Sequence, residues 1–246
     1  MKNNKGKEMQ ILNLEKGLFF QMGKGQNWRV VHPDMGAKQI TLNHGLHAPG
    51  QEFTQHTHDE TEDLIVSLEE GGSMRQGHIY TPFKAGDALF VPANEVHGTK
   101  NTTDKIARVM SFQSPPDMAL YRGERDVKEI PKPKEGHASG IQIITMDKAG
   151  PVFGKPGDWR NVISSAKGAK HLSMDYIKLN PGDEFQHEPI KMEGIYVLIV
   201  GIAEIYANNK HFNLKSRDVI FLNPGDTFNL KNIGAGPTKL VHCWAI

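Results

Sequence analysis

Apolar residues along the chain come in short runs and not in long helical stripes. "KQITL" (38–42), "EDLIVSL" (62–68), "DALFVP" (87–92) and "ARVMSF" (107–112) are each of strand length and rich in β-branched or aromatic residues. Gly, Pro and Asn separate them. Runs of that length and composition predict strands, and their regular spacing predicts an all-β sandwich or barrel. The 25 glycines and 14 prolines supply the turns such a fold needs.

The pattern then returns as "HLSMDYI" (171–177), "GIYVLIV" (194–200), "DVIFLNPGD" (218–226) and "KLVHCWAI" (239–246). Four landmarks align. Trp28-Arg29 and Trp159-Arg160 are 131 residues apart, as are "DALFVP" and "DVIFLN"; the two "GAK" stretches, and Pro49-Gly50 and Pro181-Gly182, are 132 apart. A shift of one residue is what a bulge or a changed loop produces. A tandem duplication of two β domains of about 110 residues each follows. The expected division is a loose tail over 1–8, a first domain over 9–115, a Pro- and charge-rich linker over 116–140 and a second domain over 141–246. Within and beside the linker, "DMALYRGE" (117–124) suits a short helical turn.

Candidate chemistry concentrates in the first repeat. Gly50, His56, His58 and Glu62 lie in "GQEFTQHTHDETED". Alternate strand residues share a face, so His56 and His58 project together, and Glu62, opening the next apolar run, can return to the same cavity. Gly86, Pro92, Asn94, His97 and Asn101 follow, with His97 starting the strand that leaves a tight turn. Three imidazoles and one carboxylate suit Fe, Mn, Ni, Cu or Zn as a divalent ion and leave positions open for water or substrate. The absence of a nearby cysteine argues against a closed structural zinc site.

These two stretches resemble the two motifs of the cupin superfamily, G-x5-H-x-H-x3-E and G-x5-P-x-G-x2-H-x3-N. Asn94 stands at the second motif's usual glycine, which Asn tolerates because it accepts the left-handed conformation. With the repeat, the whole chain resembles a bicupin. The resemblance implies two tandem double-stranded β-helix (jelly-roll-like) barrels, one metal ion per chain held by His56, His58, Glu62 and His97, and a homodimer. In the second copy His187 and Glu193 align with His56 and Glu62, but Pro189 and Phe228 replace His58 and His97. That barrel is expected to be degenerate and structural, with His242 a candidate substitute nitrogen.

Arg108 and Gln113, on and after the strand that follows His97, are the candidate catalytic residues; Arg108 could clamp a carboxylate or phosphate. The resemblance implies a dioxygenase-type oxidoreductase acting on an enol- or phenol-like small molecule. The alternatives are a non-redox isomerase, lyase or aminohydrolase working on a small acidic or sugar-like metabolite, and a binding module without turnover. A net charge of +1 gives no reason to expect nucleic acid or an anionic membrane as partner, and no run approaches the length of a membrane helix. A single cysteine, Cys243, and the lack of an apolar signal-like stretch lead to the expectation of a cytoplasmic protein.

Overall fold

The computed structural model describes residues 9–22, 25–122, 131–136 and 138–246. The expected tail and part of the expected linker, 123–130 and residue 137, lie outside the described residues. Among the described residues the first half holds strands β1 (Gln10–Asn13), β2 (Leu18–Met22), β3 (Gly25–Val31), β4 (Thr41–His47), β5 (Glu52–His56), β6 (Glu62–Glu69), β7 (Gly72–Gln76), β8 (Ile79–Phe83), β9 (Asp87–Val91), β10 (His97–Lys100) and β11 (Ala107–Ser114). One helical turn, α1 (Met118–Tyr121), follows. The second half holds β12 (Gln142–Thr145), β13 (Gly150–Val152), β14 (Asp158–Ile163), β15 (Leu172–Leu179), β16 (Glu184–His187), β17 (Gly194–Val200), β18 (Ile202–Ala207), β19 (Lys210–Lys215), β20 (Asp218–Leu222), β21 (Phe228–Asn232) and β22 (Thr238–Ala245). None of the described helices is long and apolar enough to cross a membrane.

The all-β expectation holds, and the repeat is visible strand by strand. A seven-stranded sheet runs β12-β9-β6-β11-β4-β3-β2, and its counterpart runs β1-β20-β17-β22-β15-β14-β13. Each faces a four-stranded sheet, β5-β10-β7-β8 or β16-β21-β18-β19. The edge strands are exchanged. β1, from the first half, pairs with β20, while β12, from the second, pairs with β9 in the same position of the other sheet.

Side-chain alternation assigns the central strands two buried faces. Leu64 and Val66 of β6, Met110 and Phe112 of β11, and Ala88 and Phe90 of β9 join Ile195, Val197, Val241, Cys243, Val219 and Phe221 in one core between the two halves. Full burial of such side chains stabilises by roughly 1.5–3 kcal/mol each, so this junction dominates the cohesion of the molecule. The opposite faces point into the two barrels, where Ile65, Leu89 and Val109 line the first. The second is packed with Trp159, Phe185, Tyr196, Phe228 and aliphatic residues.

One sequence landmark dissolves in the structure. Trp28 pairs with His44, and Trp159 pairs with Ile177, whose counterpart in the first repeat is Gly45. The structural partner of Trp159 is therefore Asn27, which pairs with Gly45. Trp159 fills the second barrel, whereas Trp28 packs against the junction core. The local offset in this strand is 132, and one residue of slip moves a side chain to the other face.

Candidate metal centre

β5 ends at His56 and β10 begins at His97, and the two residues are directly opposite each other in register. Gly98 permits that pairing: a Cβ there would lie 2.6 Å from the Phe53 carbonyl oxygen. His58 follows β5 and is fixed from the other side by the turn at Asn94, whose N–H donates to the His58 carbonyl at 2.7 Å. Asn94 has φ of 65°, the left-handed conformation expected of it.

The three imidazole rings converge, with centroids 4.3 Å (His56–His97), 4.9 Å (His56–His58) and 5.2 Å (His58–His97) apart. One ligand atom from each can be chosen so that all lie within 4.8 Å of one another. Each Nδ1 is already engaged. His56 bonds the Thr54 carbonyl at 2.9 Å, His97 the Glu95 carbonyl at 3.0 Å and His58 the Asp117 carboxylate at 2.6 Å. An oxygen acceptor requires Nδ1–H, which leaves Nε2 with its lone pair, the form that binds metal. The Nε2 atoms of His58 and His97 are buried and have no partner. Burial, reinforced by the neighbouring His56 and His58, holds the His97 pKa well below its ordinary value and keeps the ring neutral.

The carboxylate beside this cluster is Asp63. Its Oδ2 lies 3.8 Å from His58 Nε2 and 4.0 Å from His97 Nε2. Ligands about 2.1 Å from a common ion stand roughly 3.0–3.4 Å apart, so modest tightening would bring Asp63 into the set. Ser111 donates to its Oδ1 at 2.7 Å and Gln113 to its Oδ2 at 3.4 Å. Burial raises the Asp63 pKa, while His58 and the two donors act in the opposite direction.

Glu62, expected as the fourth ligand, is not brought to the histidines. It occupies the other face of β6, where its carboxylate accepts from the backbone N–H of Lys170 at 2.8 Å and of His171 at 2.9 Å. Glu193 does the reciprocal, accepting from Lys38, Gln39 and Ile40. Arg108 is likewise on the junction side. It pairs with Glu15 at 2.9 Å and Glu69 at 3.1 Å and donates to His44 Nε2 at 2.9 Å. Gln113 does face the site, through Asp63.

The cluster opens into a cavity of about 250 Å³ lined by His56, His97 and Asp63 together with residues of β3, β4 and β11. Its wall combines an apolar part, including Phe20, Phe53, Ile65 and Val109, with Asn27, Arg29, Asn43, Ser111 and Gln113. Asp117 and Tyr121, from the stretch expected to be linker, complete it. In the second barrel the counterparts of His58, His97 and Asp63 are Pro189, Phe228 and Gly194. His187 stacks on Phe228, and His242 lies between Tyr196 and Trp244.

Residues 46–112 match the cupin domain family. That matched segment lies in the first barrel and holds all three histidines and Asp63. No curated protein sequence matches it significantly. Its fold is similar to that of protein Ylba from E. coli (TM-score 0.77, 10 % identity, 97 % of this chain and 91 % of that one). It is also similar to oxalate decarboxylase from Bacillus subtilis (TM-score 0.72, 12 % identity, 97 % and 77 %). The oxalate decarboxylase of Lactobacillus farciminis, solved as a formate complex, gives TM-score 0.72 at 14 % identity (97 % and 86 %). At these identities the likeness is one of fold.

Proposed function

We propose that the first barrel is a metal-dependent enzyme site acting on a small organic metabolite. The observation that carries this reading is the convergence of three imidazoles, fixed through Nδ1, whose ligand atoms lie within 4.8 Å of one another, with the Nε2 atoms of His58 and His97 buried and without a hydrogen-bond partner. An unsatisfied buried nitrogen is costly unless something binds it. His56, His58 and His97, with Asp63 beside them, would hold one divalent transition ion; the nitrogen-and-oxygen donor set suits Fe, Mn, Ni, Cu or Zn. Such an ion polarises a bound oxygen or nitrogen function and lowers the pKa of bound water. The chain's own groups fix the rings, orient the Asp63 carboxylate through Ser111 and Gln113, and enclose the substrate in the cavity.

For the reaction class, Asn27, Arg29, Asn43, Ser111 and Gln113 in the wall support isomerase-, lyase- or aminohydrolase-type chemistry on a hydrogen-bonding metabolite. The Phe20, Phe53 and Val109 side of the same wall supports the second reading, a dioxygenase with an enol- or phenol-like substrate. The likeness to oxalate decarboxylases supports a metal-dependent cupin enzyme and does not single out a dioxygenase.

Elemental analysis of protein purified without a metal-affinity column tests the centre. About one ion per wild-type chain, lost in His56→Ala and His97→Ala, is expected; unchanged content in both variants would overturn the reading. Oxygen uptake with catechols, flavonols or diketones would replace the first reaction class with the second.

A further inference from the structure

Arg29 stands in the wall of the metal-site cavity, on β3. In the sheet, β3 is separated from β6, the strand of Asp63, by β4 and β11. Strands lie about 4.8 Å apart, so the backbones carrying Arg29 and Asp63 are roughly 14 Å apart. Arg29 pairs with Asn43, Asn43 with Ser111 and Ser111 with Ile65, so a row of cavity-facing residues crosses from the arginine towards the metal side.

Two aromatic rings lie beside the guanidinium. Its carbon lies 4.5 Å from the ring centroid of Tyr121 and 5.2 Å from that of Phe20. Its Nη1 donates to the Tyr121 carbonyl at 3.3 Å. A guanidinium has five N–H donors, and aromatic contacts leave its in-plane edge available for a planar acid. Among the described residues no carboxylate pairs with it. Arg75, Arg108, Arg160 and Arg217, by contrast, each have an acid partner. Two residues before Arg29 on the same face, Asn27 is buried, lines the cavity, and its Nδ2 has no partner. In the second repeat Trp159 takes the place of Asn27, and the counterpart of Arg29 is Asn161, whose Nδ2 donates to Asp175. Both cavity donors are missing from the half that lacks the histidine cluster.

We propose that Arg29, with Asn27, anchors the carboxylate of a small bifunctional acid whose other end, an oxygen or nitrogen function, reaches the histidine cluster. This inference rests on the metal-dependent reading for that other end alone; the anchor itself uses no metal. Substrates are thereby restricted to compact acids carrying a second polar function across the cavity.

The test is isothermal titration of the full chain, with and without added Mn or Zn, using malonate, succinate and glutarate as probes and acetate as the single-carboxylate control. Binding of at least one dicarboxylate to wild type, weakened about tenfold or more in Arg29→Gln and less in Arg29→Lys, is the expected result. Metal content should be the same in wild type and both variants. Equal affinity in Arg29→Gln and wild type, or no dicarboxylate binding to wild type in either state, overturns the anchor. Should Arg29→Gln fail to fold, the same comparison is made with Arg29→Lys and Asn27→Ala. Wild-type protein that takes up no metal, yet binds a dicarboxylate in an Arg29-dependent way, would overturn the metal reading and leave the anchor standing.

Discussion

Glu62 and Glu193 occupy matching positions in the two repeats, and each carboxylate accepts backbone N–H groups from the opposite repeat. Both are buried, at 2 % and 4 % exposure. What looks in the sequence like a ligand kept in both copies is a pair of reciprocal ties across the junction. Asp63, one residue along the chain, turns the other way, to the histidines.

Glu62 and Asp63 should therefore separate cleanly under substitution. Glu62→Ala leaves the N–H groups of Lys170 and His171 without their acceptor and is expected to lower unfolding stability by on the order of 3 kcal/mol, with metal content unchanged. Asp63→Ala is expected to weaken metal binding by about tenfold or more. Urea unfolding and elemental analysis on both variants check this; metal loss in Glu62→Ala with none in Asp63→Ala would reverse the assignment.

Asp117 holds His58 through Nδ1 and also caps α1, its Oδ1 accepting from the Leu120 N–H at 2.9 Å. Asp117→Asn keeps one acceptor where two are used, and so sets an amide donor against either the His58 Nδ1–H or the Leu120 N–H. Metal affinity should fall by about 10- to 100-fold while the fold is kept. Competition with a chelator of known affinity measures it, and an unchanged dissociation constant counts against Asp117 as the residue that positions His58.

The second barrel should remain metal-free when its histidine is removed. His187→Ala is expected to leave metal stoichiometry as in wild type, because Phe228 and Pro189 stand where two of the ligands would be. It should still cost about 1–3 kcal/mol, since His187 Nδ1 is within 3.0 Å of the buried Tyr196 hydroxyl. A fall in bound metal would show a second site.

Acid should weaken the fold through His44 and His187. His44 Nδ1 bonds the Leu14 carbonyl and its Nε2 accepts from Arg108, an arrangement only the neutral ring can make. Burial first, and then the Arg108 charge, push its pKa from 6.5 to about 4; burial, aided by Lys155, does the same to His187. Between those values the unfolded chain binds more protons than the folded one. Stability therefore rises with pH from about 4 to 6.5, and is lost as pH falls through that window, by up to about 3 kcal/mol per group. Urea midpoints at pH 7 and pH 4.5 should differ, and His44→Gln should flatten the difference. Equal midpoints in the wild type would refute the account.

The repeat, the strands and the three histidines are legible in the sequence because turn residues and the H-x-H spacing are local signals. The choice between Glu62 and Asp63 is not. β6 is buried on both faces, so "EDLIVSL" shows no alternation from which to read which side a given residue takes. Asn27, Arg29 and Asp117 carry no sequence signal for a different reason. They reach the cavity from the outer strand β3 and from a Pro-rich stretch after β11, and only the assembled sheet brings them there. Arg108 follows His97 on the next strand, yet residues 109, 111 and 113 take the cavity face of that strand.

The exchanged edge strands put a timetable on how the chain becomes whole. β1 is the first described strand to leave the ribosome, but its partner β20 includes Phe221, opposite Gln10, close to the end of the 246 residues. Until then β1 has no ladder to join. The first barrel must also wait for β12, residues 142–145, to cover the edge of β9. Each half thus spends part of its synthesis with an open strand edge, the state most prone to pairing with the wrong chain. β12 closes the first of these edges midway along the chain, and β20 gives β1 its ladder only much later.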